Sequence, residues 1–511
     1  MASPASVKEW EDTADIVIIG FGLAAASAAI EALASDPQAD VLILEKMPPH
    51  LAGGNTRVSG QSLMIARNAT ALADYQRRLN AANPVPEDML LSWAEQMVAL
   101  ESWIRERAEE VGAEMIRGAG FSEREAILEF PEYGAGEAVS HTATILPIPS
   151  GVWLAFKANI EKRPVRVNYE SPAVDLIQDP DSLEVHGVLV ERDGGEVAIR
   201  ARRAVILACG GYENNLAMQR DYCGMEAAYA MGTPGNTGDG IRMLQKAGAD
   251  LWHMRSKGQP GGLFAGIQVP LFETVYMRNF FMMNFNWIEV AADGRRFCNE
   301  TSSYQLTHWK TKVHDHYLDT LHHQVMPVHM IFDHTVCANN RLIMPIMTWN
   351  AVVEDYEWSP DNSAEVEAGW IHRADSIPEL AMRIGQDPDR LQATVHEFNL
   401  ACERGEDADF GRDPGTLQAL STPPFYAVEI VPSIVCTGGG GRRNIESEVL
   451  DHSGKVIPRL YEAGELGSMF SHLYQNGCYL TEAMISGRAA GRNAARLQPV
   501  KYTNTDKHHA C

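Results

Sequence analysis

The sequence predicts an α/β chain whose main domain, built on a parallel sheet, is split in sequence by an inserted α+β domain. Three observations predict it. Asp15 to Lys46 reads as strand, turn, helix and strand; Ala204 to Leu207 is a second hydrophobic strand that runs on into Gly210 and Gly211. Composition shifts near residue 256, and glycine-rich and strand-to-loop signals resume near Pro424.

The first stretch carries the most chemistry. Ile16-Val17-Ile18-Ile19 is short, apolar and β-branched, as a buried parallel strand requires. Gly20, Gly22 and Ala25 follow at G-x-G-x-x-A spacing, then a small-residue helix, Ala24 to Ala34, and a strand, Val41 to Leu44, that ends in Glu45. Gly20 permits the tight turn, Gly22 lets the backbone close on a pyrophosphate at the helix N-terminus, and Ala25 lets helix and sheet approach. Glu45 is placed to accept hydrogen bonds from an adenosine ribose. The spacing alone is weak evidence, but strand, helix, second strand and terminal acid all stand where a dinucleotide site needs them. NAD and FAD both satisfy this pattern.

Composition bounds the rest. A chain of 511 residues, 45% hydrophobic, has room for two domains. A net charge of -24 argues against a nucleic-acid or anionic-membrane surface, because phosphate neutralisation needs clustered Lys and Arg. The cysteines are scattered without C-x-x-C or C-x-x-C-H, so no iron–sulfur cluster, zinc site or other metal centre, and no attached haem, is expected, and the compartment is read as reducing. The first residues are acidic and lack the apolar core of a secretory signal, and no apolar run reaches membrane-span length. The reading is a soluble cytoplasmic protein with no membrane span and no nucleic-acid partner.

In chain order, Leu51 to Ser62 contains the Gly53-Gly54-Asn55-Thr56 turn, suited to pass over a pyrophosphate or ring. Residues 86 to 117 read as amphipathic helices with Leu90, Leu91, Trp93, Met97, Leu100 and Ile104 on one face. Gly118 to Pro149 is loop-like and includes Tyr133. Val165 to Glu170, Ala173 to Ile177, Glu184 to Glu191 and Gly195 to Ile199 read as short strands before the strand at Ala204. In Gly232 to Met243, Asp239 is expected to N-cap the helix Gly240 to Ala247. Asp293-Gly294 marks a hairpin turn, and Ser376 to Ile384 and Pro388 to Glu403 read as helices. Leu460 to Glu465 is another strand-to-loop signal, and a last helix, Leu480 to Leu497, begins behind Gly477. The expected division is 1–255 and 421–500 for the nucleotide domain, 256–420 for the inserted domain, and 501–511 for a flexible tail.

Taken together, the N-terminal βαβ unit, Gly53-Gly54-Asn55, ILACGGY at Ile206 to Tyr212, TGDG at Thr237 to Gly240, LYEAGE at Leu460 to Glu465 and SGRAAG at Ser486 to Gly491 resemble one flavoprotein family. It is the family of fumarate reductases, succinate dehydrogenases and 3-ketosteroid dehydrogenases, and the likeness runs from about residue 14 to 496. The resemblance implies bound FAD, a Rossmann-like FAD domain split by a cap domain, and a substrate held between cap and flavin ring. It carries the cofactor contacts onto Gly20, Gly22, Leu23, Ala24 and Ala25; Glu45 and Lys46; and Gly53, Gly54, Asn55, Thr56, Ser59 and Gly60. Further along it carries them onto Ala173, Ala208, Cys209, Gly210, Tyr212, Asn236 and Asp239, then Glu465, Gly477, Tyr479 and Leu480. It also implies that the helix after Gly477 aims its N-terminal dipole at the flavin pyrimidine edge. The resemblance implies no covalent-flavin histidine of the succinate dehydrogenase kind at Gly53-Gly54-Asn55, the nearest histidine being His50, so the FAD is expected to be noncovalent.

The branch is read from a few positions. In the resemblance, fumarate reductases place a proton-delivering arginine where this chain has Tyr304, and ketosteroid dehydrogenases place a tyrosine base. Val435 or Cys436 replaces the family's dicarboxylate-binding histidine, and Gln475 replaces its C-terminal arginine. Without that cationic clamp, dianion reduction is disfavoured. Tyr474-Gln475-Asn476-Gly477 is similar to the ketosteroid branch, which implies Tyr474 and the Gly477 amide as the ketone site, Tyr304 as base and Tyr133 as a further pocket residue. The expected reaction is desaturation of a C–C bond beside a ketone in a cyclic, steroid-like substrate, with the β hydride passing to flavin N5 and electrons leaving to a diffusible acceptor. Two alternatives stand beside it: an FAD enzyme of small carboxylic acids, of tricarballylate or fumarate type, and a noncatalytic flavin-binding protein.

Overall fold

A computed structural model describes residues 2–118, 125–192, 194–225, 228–258, 264–270, 275–301, 310–314, 316–319, 325–344 and 356–500. It divides into two units: Met1–Asn215, Gly235–Ser256 and Cys436–Cys511 form the first, and Leu216–Pro234 and Lys257–Val435 the second. Among the described residues no helix is long and apolar enough to cross a membrane.

The first unit is built on the strands β1 (Trp10–Ile19), β2 (Val41–Leu44), β3 (Val165–Asn168), β4 (Ala173–Gln178), β5 (Val185–Arg192), β6 (Gly195–Leu207), β7 (Glu448–Leu450) and β8 (Val456–Glu462). Their order is β7-β8-β6-β1-β2-β3, with β4 joined through β5 to β6. From β8 to β3 neighbours run parallel, as in β1 on β2, where Ile16 faces Val41 and Ile19 faces Leu44. Residues 16 to 19 and 41 to 44 are buried, which is why these strands read as unbroken apolar runs.

The two strands expected at Gly195 and Ala204 are one, β6. Its arginines do not break it because each is matched: Arg200 lies over the Trp10 ring at 4.4 Å, while Arg202 and Arg203 reach Asp15 at 3.0 and 3.5 Å. One edge of β6 is shared, its first half pairing antiparallel with β5 and its end parallel with β8. Its other edge runs along β1.

Two helices define the packing beside this sheet, α1 (Leu23–Ser35) and the long C-terminal helix Cys478–Arg496. Gly487 and Gly491 stand one turn apart, where a Cβ would collide with the carbonyl oxygens of Ala24 and Ala28, also one turn apart. The small residues therefore exist to let two backbones touch. Elsewhere, Glu87–Glu110 is a single helix that buries Leu90, Trp93, Met97, Leu100 and Ile104. Leu91, expected on that face, is exposed, because one residue turns the helix by about 100°. Met115–Arg117 is a strand, not a continuation of the helix.

In the second unit a four-stranded antiparallel sheet has the order Trp287–Val290, Val328–Asp333, Phe425–Ile430, His372–Ala374. Period-2 alternation sends Ile288, Val290, Ile331 and Ala427 toward the helices Ile377–Arg383 and Pro388–Arg404. Trp287, Met330, Phe332 and Val428 face a second core with Trp358 and Tyr276. Asp293-Gly294 does turn the chain, Gly294 donating to the Ala291 carbonyl at 2.9 Å. It does not make a hairpin, because Trp287–Val290 finds its partner in Val328–Asp333.

Candidate active site

At the end of β1 the chain turns through Gly20, whose φ of +93° and close approach to the Ala208 carbonyl, 2.6 Å from an added Cβ, admit no side chain. Gly22 is the N-cap of α1, so the first-turn amides of Leu23, Ala24 and Ala25 are the orphan donors that every helix start leaves. One is taken: Leu23 N–H donates to Thr56 Oγ1 at 3.0 Å. Thr56 sits on α2 (Gly54–Val58), whose left-handed N-cap Gly53 packs under the Trp153 indole and whose C-cap Ser59 leads into Gly60.

Glu45 is held by the backbone. Its carboxylate accepts from Phe21 N–H at 2.7 Å and from Met47 N–H at 2.8 Å, and its own carbonyl accepts from Ser171 N–H, two residues before Ala173. Burial raises its pKa against these donors. Lys46 pairs with Asp239 at 2.6 Å and with Thr237 Oγ1 at 2.9 Å. Burial pushes the Asp239 carboxyl up, but Lys46 and Arg242 bring it below its ordinary range. Asp239 is thus the first residue of α3 (Asp239–Lys246) and not its cap: Gly238, at φ +81°, takes that place, and the expected N-cap role of Asp239 is corrected.

At the end of β6 the paired glycines meet a group of polar side chains. Gly210 abuts the Asn236 amide and Gly211 abuts Thr437 and Glu465, so neither tolerates a Cβ. Asn55 Nδ2 donates to Glu213 Oε1 at 2.6 Å and to Glu465 Oε2 at 3.0 Å, and Asn236 Nδ2 also donates to Glu213 at 2.7 Å. Thr437 N–H donates to Glu465 at 2.9 Å, and Tyr212 N–H donates to Thr437 Oγ1 at 2.9 Å. Glu213 and Glu465 hydrogen-bond each other, which requires one of them to carry a proton. Burial raises both carboxyl pKa values, and the negative neighbour raises Glu465 further. Burial also pushes the adjacent Cys209 thiol up to about 12. Glu213 and Thr437 are absent from the expectation. The signal for Glu213 was its position two residues past the glycine pair, at the carboxyl end of a parallel strand.

The last part of the site opens the C-terminal helix, α4 (Cys478–Arg496). Its N-cap Gly477 has φ +85°, and its amide has no acceptor among the described residues. Tyr474, 8% exposed, stands edge-on to Tyr479 at 4.6 Å and bonds the Cys436 thiol. Burial lifts its pKa well above the ordinary phenol value, so it is a neutral donor. Tyr479 packs against Phe470 at 4.9 Å, and Leu480 follows it, half-buried, in the first turn. Gln475 is wholly buried: its oxygen accepts from Tyr75 and from Glu129 N–H, and its nitrogen donates to the Ile127 carbonyl at 2.5 Å.

Tyr133 and Tyr304 are the remaining expected residues. Tyr133 ends a short turn, stacked on Phe130 at 6.3 Å, and its carbonyl accepts from Arg78. Tyr304 lies outside the described residues. Of the arginines near it in sequence, Arg295 is exposed and Arg296 is locked between Glu300 and Asp407. Arg442 pairs with Asp250 and Arg443 with Glu482.

Residues 15–478 match the family described as FAD binding domain. The chain belongs to this family. It is 26% identical to the digoxin reductase of Eggerthella lenta over 97% of this chain and 89% of that one. It is 30% identical to the 3-oxosteroid 1-dehydrogenase of Mycobacterium tuberculosis over 58% of this chain and 53% of that one. The fold is similar to the crystal structure of 3-ketosteroid delta1-dehydrogenase from Sterolibacterium denitrificans in complex with 1,4-androstadiene-3,17-dione, with a TM-score of 0.74, 21% identity and coverage of 95% and 99%. This member of the family is an FAD-dependent oxidoreductase of the fumarate reductase and ketosteroid dehydrogenase group. Its first unit fits FAD: the Cβ-free turn at Gly20, the first-turn amides of α1 and the backbone-held Glu45 make a dinucleotide cradle.

Proposed function

We propose that this chain desaturates a C–C bond adjacent to a ketone in a cyclic, steroid-like substrate. The observation that carries the reading is the Gly477 amide, held at a left-handed N-cap without an acceptor among the described residues, three residues from the buried neutral phenol of Tyr474. An N–H and an O–H from one turn suit a single carbonyl oxygen. As that oxygen gains enolate charge the two donors stabilise it, and the positive end of α4 adds to the same potential. Gln475 supports a neutral substrate, because its amide is consumed by backbone and Tyr75 and it brings no charge. Bound FAD supplies the acceptor for the hydride lost from the β carbon. Tyr304 takes the α proton in this reading, and since Arg296 is committed to two carboxylates, a relay to water assists the phenol.

The relative named for 3-oxosteroids supports a polycyclic ketone as the substrate class. Mixing the yellow protein anaerobically with cyclic 3-ketones is expected to bleach the flavin and yield the unsaturated ketone. Tyr304→Phe is expected to retain FAD and lose desaturation by orders of magnitude. A chain that no ketone bleaches is not this enzyme, and normal turnover by the variant removes Tyr304 from the chemistry.

A further inference from the structure

Two buried lysines in the second unit share a single carboxylate among the described residues. In the hairpin formed by Lys310–Val313 and His316–Asp319, Lys310 stands directly opposite Asp319, so both side chains rise from one face. Lys257, from a separate stretch of the same unit, reaches the same atom: its Nζ donates to Asp319 Oδ1 at 3.1 Å, and Lys310 Nζ donates to that oxygen as well. Both lysine side chains are 1% exposed and Asp319 is 19% exposed. Neither ammonium has another side-chain or carbonyl acceptor among the described residues.

Each ammonium carries three N–H donors, so two cations with a surplus of donors converge on one carboxylate. Burying an ammonium without a counter-charge is strongly unfavourable. Burial first, and the charge of Lys257 second, lower the Lys310 pKa to about 8; Asp319 opposes them, and the Cys223 thiol is the other titratable group acting on it. The surplus of charge and the surplus of donors are met by one kind of ligand. We propose that Lys257 and Lys310 form an anion site that takes the carboxylate of an organic acid. Among the described residues the surplus is one positive charge, which a carboxylate neutralises and a phosphate dianion would overshoot. Its two oxygens also give each ammonium a separate acceptor. The inference is independent of the ketone reaction proposed above.

The test is calorimetric titration of the FAD-loaded full chain with sodium acetate and with acetamide, at ionic strength fixed by sodium chloride. Acetate is expected to bind and acetamide not to. Lys257→Met and Lys310→Met are each expected to weaken acetate at least tenfold with unchanged FAD content. Either replacement leaves one lysine balanced by Asp319, so folding is expected to survive. Lys310→Arg, which keeps the charge, is expected to retain most of the affinity. Acetate binding that also shifts flavin absorption identifies a substrate subsite, and binding without a shift identifies an effector site. Absence of acetate binding to the native chain, equal binding of acetamide, or undiminished affinity in both Met variants overturns the proposal.

Discussion

At the scale of single residues, Tyr474 and Gly477 differ in how mutation can probe them. The Gly477 amide belongs to a backbone that no side chain can replace, since a Cβ there would stand 2.7 Å from Met64 N. The Tyr474 hydroxyl can be removed alone. Losing one oxyanion donor lowers turnover by about 10²–10³-fold, so Tyr474→Phe is expected to lower kcat by that order with the flavin spectrum intact. The Glu213–Glu465 pair makes a pH prediction. Carboxyls with raised pKa keep a proton in the folded state that the unfolded chain has released, so the pair weakens stability as pH rises from the ordinary carboxylate range through the raised values. Glu213→Gln removes the charge that faces Glu465. Melting temperature measured across this range is expected to fall less steeply in the variant, which gains on the order of 1 kcal/mol at neutral pH; an unchanged slope would dismiss the pairing. Thr437 was not legible beforehand, because it acquires its meaning from Tyr212 and Glu213, more than two hundred residues away. Glu45 was legible because its partners, Phe21 and Met47, lie in the same βαβ unit.

At the scale of elements, the crossing of α1 and α4 turns a sequence pattern into a distance. SGRAAG was readable as a family signature, but its physical content is the placement of Gly487 and Gly491 against the carbonyls of Ala24 and Ala28. Inserting a methyl into such a backbone contact costs about 1–3 kcal/mol. Gly491→Ala is therefore expected to lower the melting temperature measurably, and because α1 opens at the Gly20 turn, to weaken FAD retention on a desalting column. Gly454, which faces open space, is the control for a glycine replaced without a collision, although its φ of +79° adds backbone strain. Elements failed to be legible where tertiary partners overrode local signals. The arginines inside β6 looked like a break until Trp10 and Asp15 were seen to hold them. Asp239 looked like a cap until Lys46 was seen to take its carboxylate.

At the scale of the whole molecule, the first unit is assembled from three separated stretches of chain, and the proposed cofactor cradle draws on all of them. Gly20 to Thr56 comes from the first, Asn236 and Asp239 from the second, and Thr437, Glu465 and Gly477 from the third. A ligand that binds only the folded arrangement stabilises it by mass action, about 2.7 kcal/mol when free ligand is a hundredfold above Kd. Stripping FAD with chaotropic salt is thus expected to lower the melting temperature by several degrees, and adding FAD back to restore it. The attachment itself has a distinct readout. A noncovalent FAD is expected to leave the precipitate colourless on heat denaturation and all the flavin in the supernatant. Thin-layer separation of that supernatant should show FAD alone, without the mononucleotide. Yellow retained in the washed precipitate would establish a covalent link and overturn the noncovalent assignment.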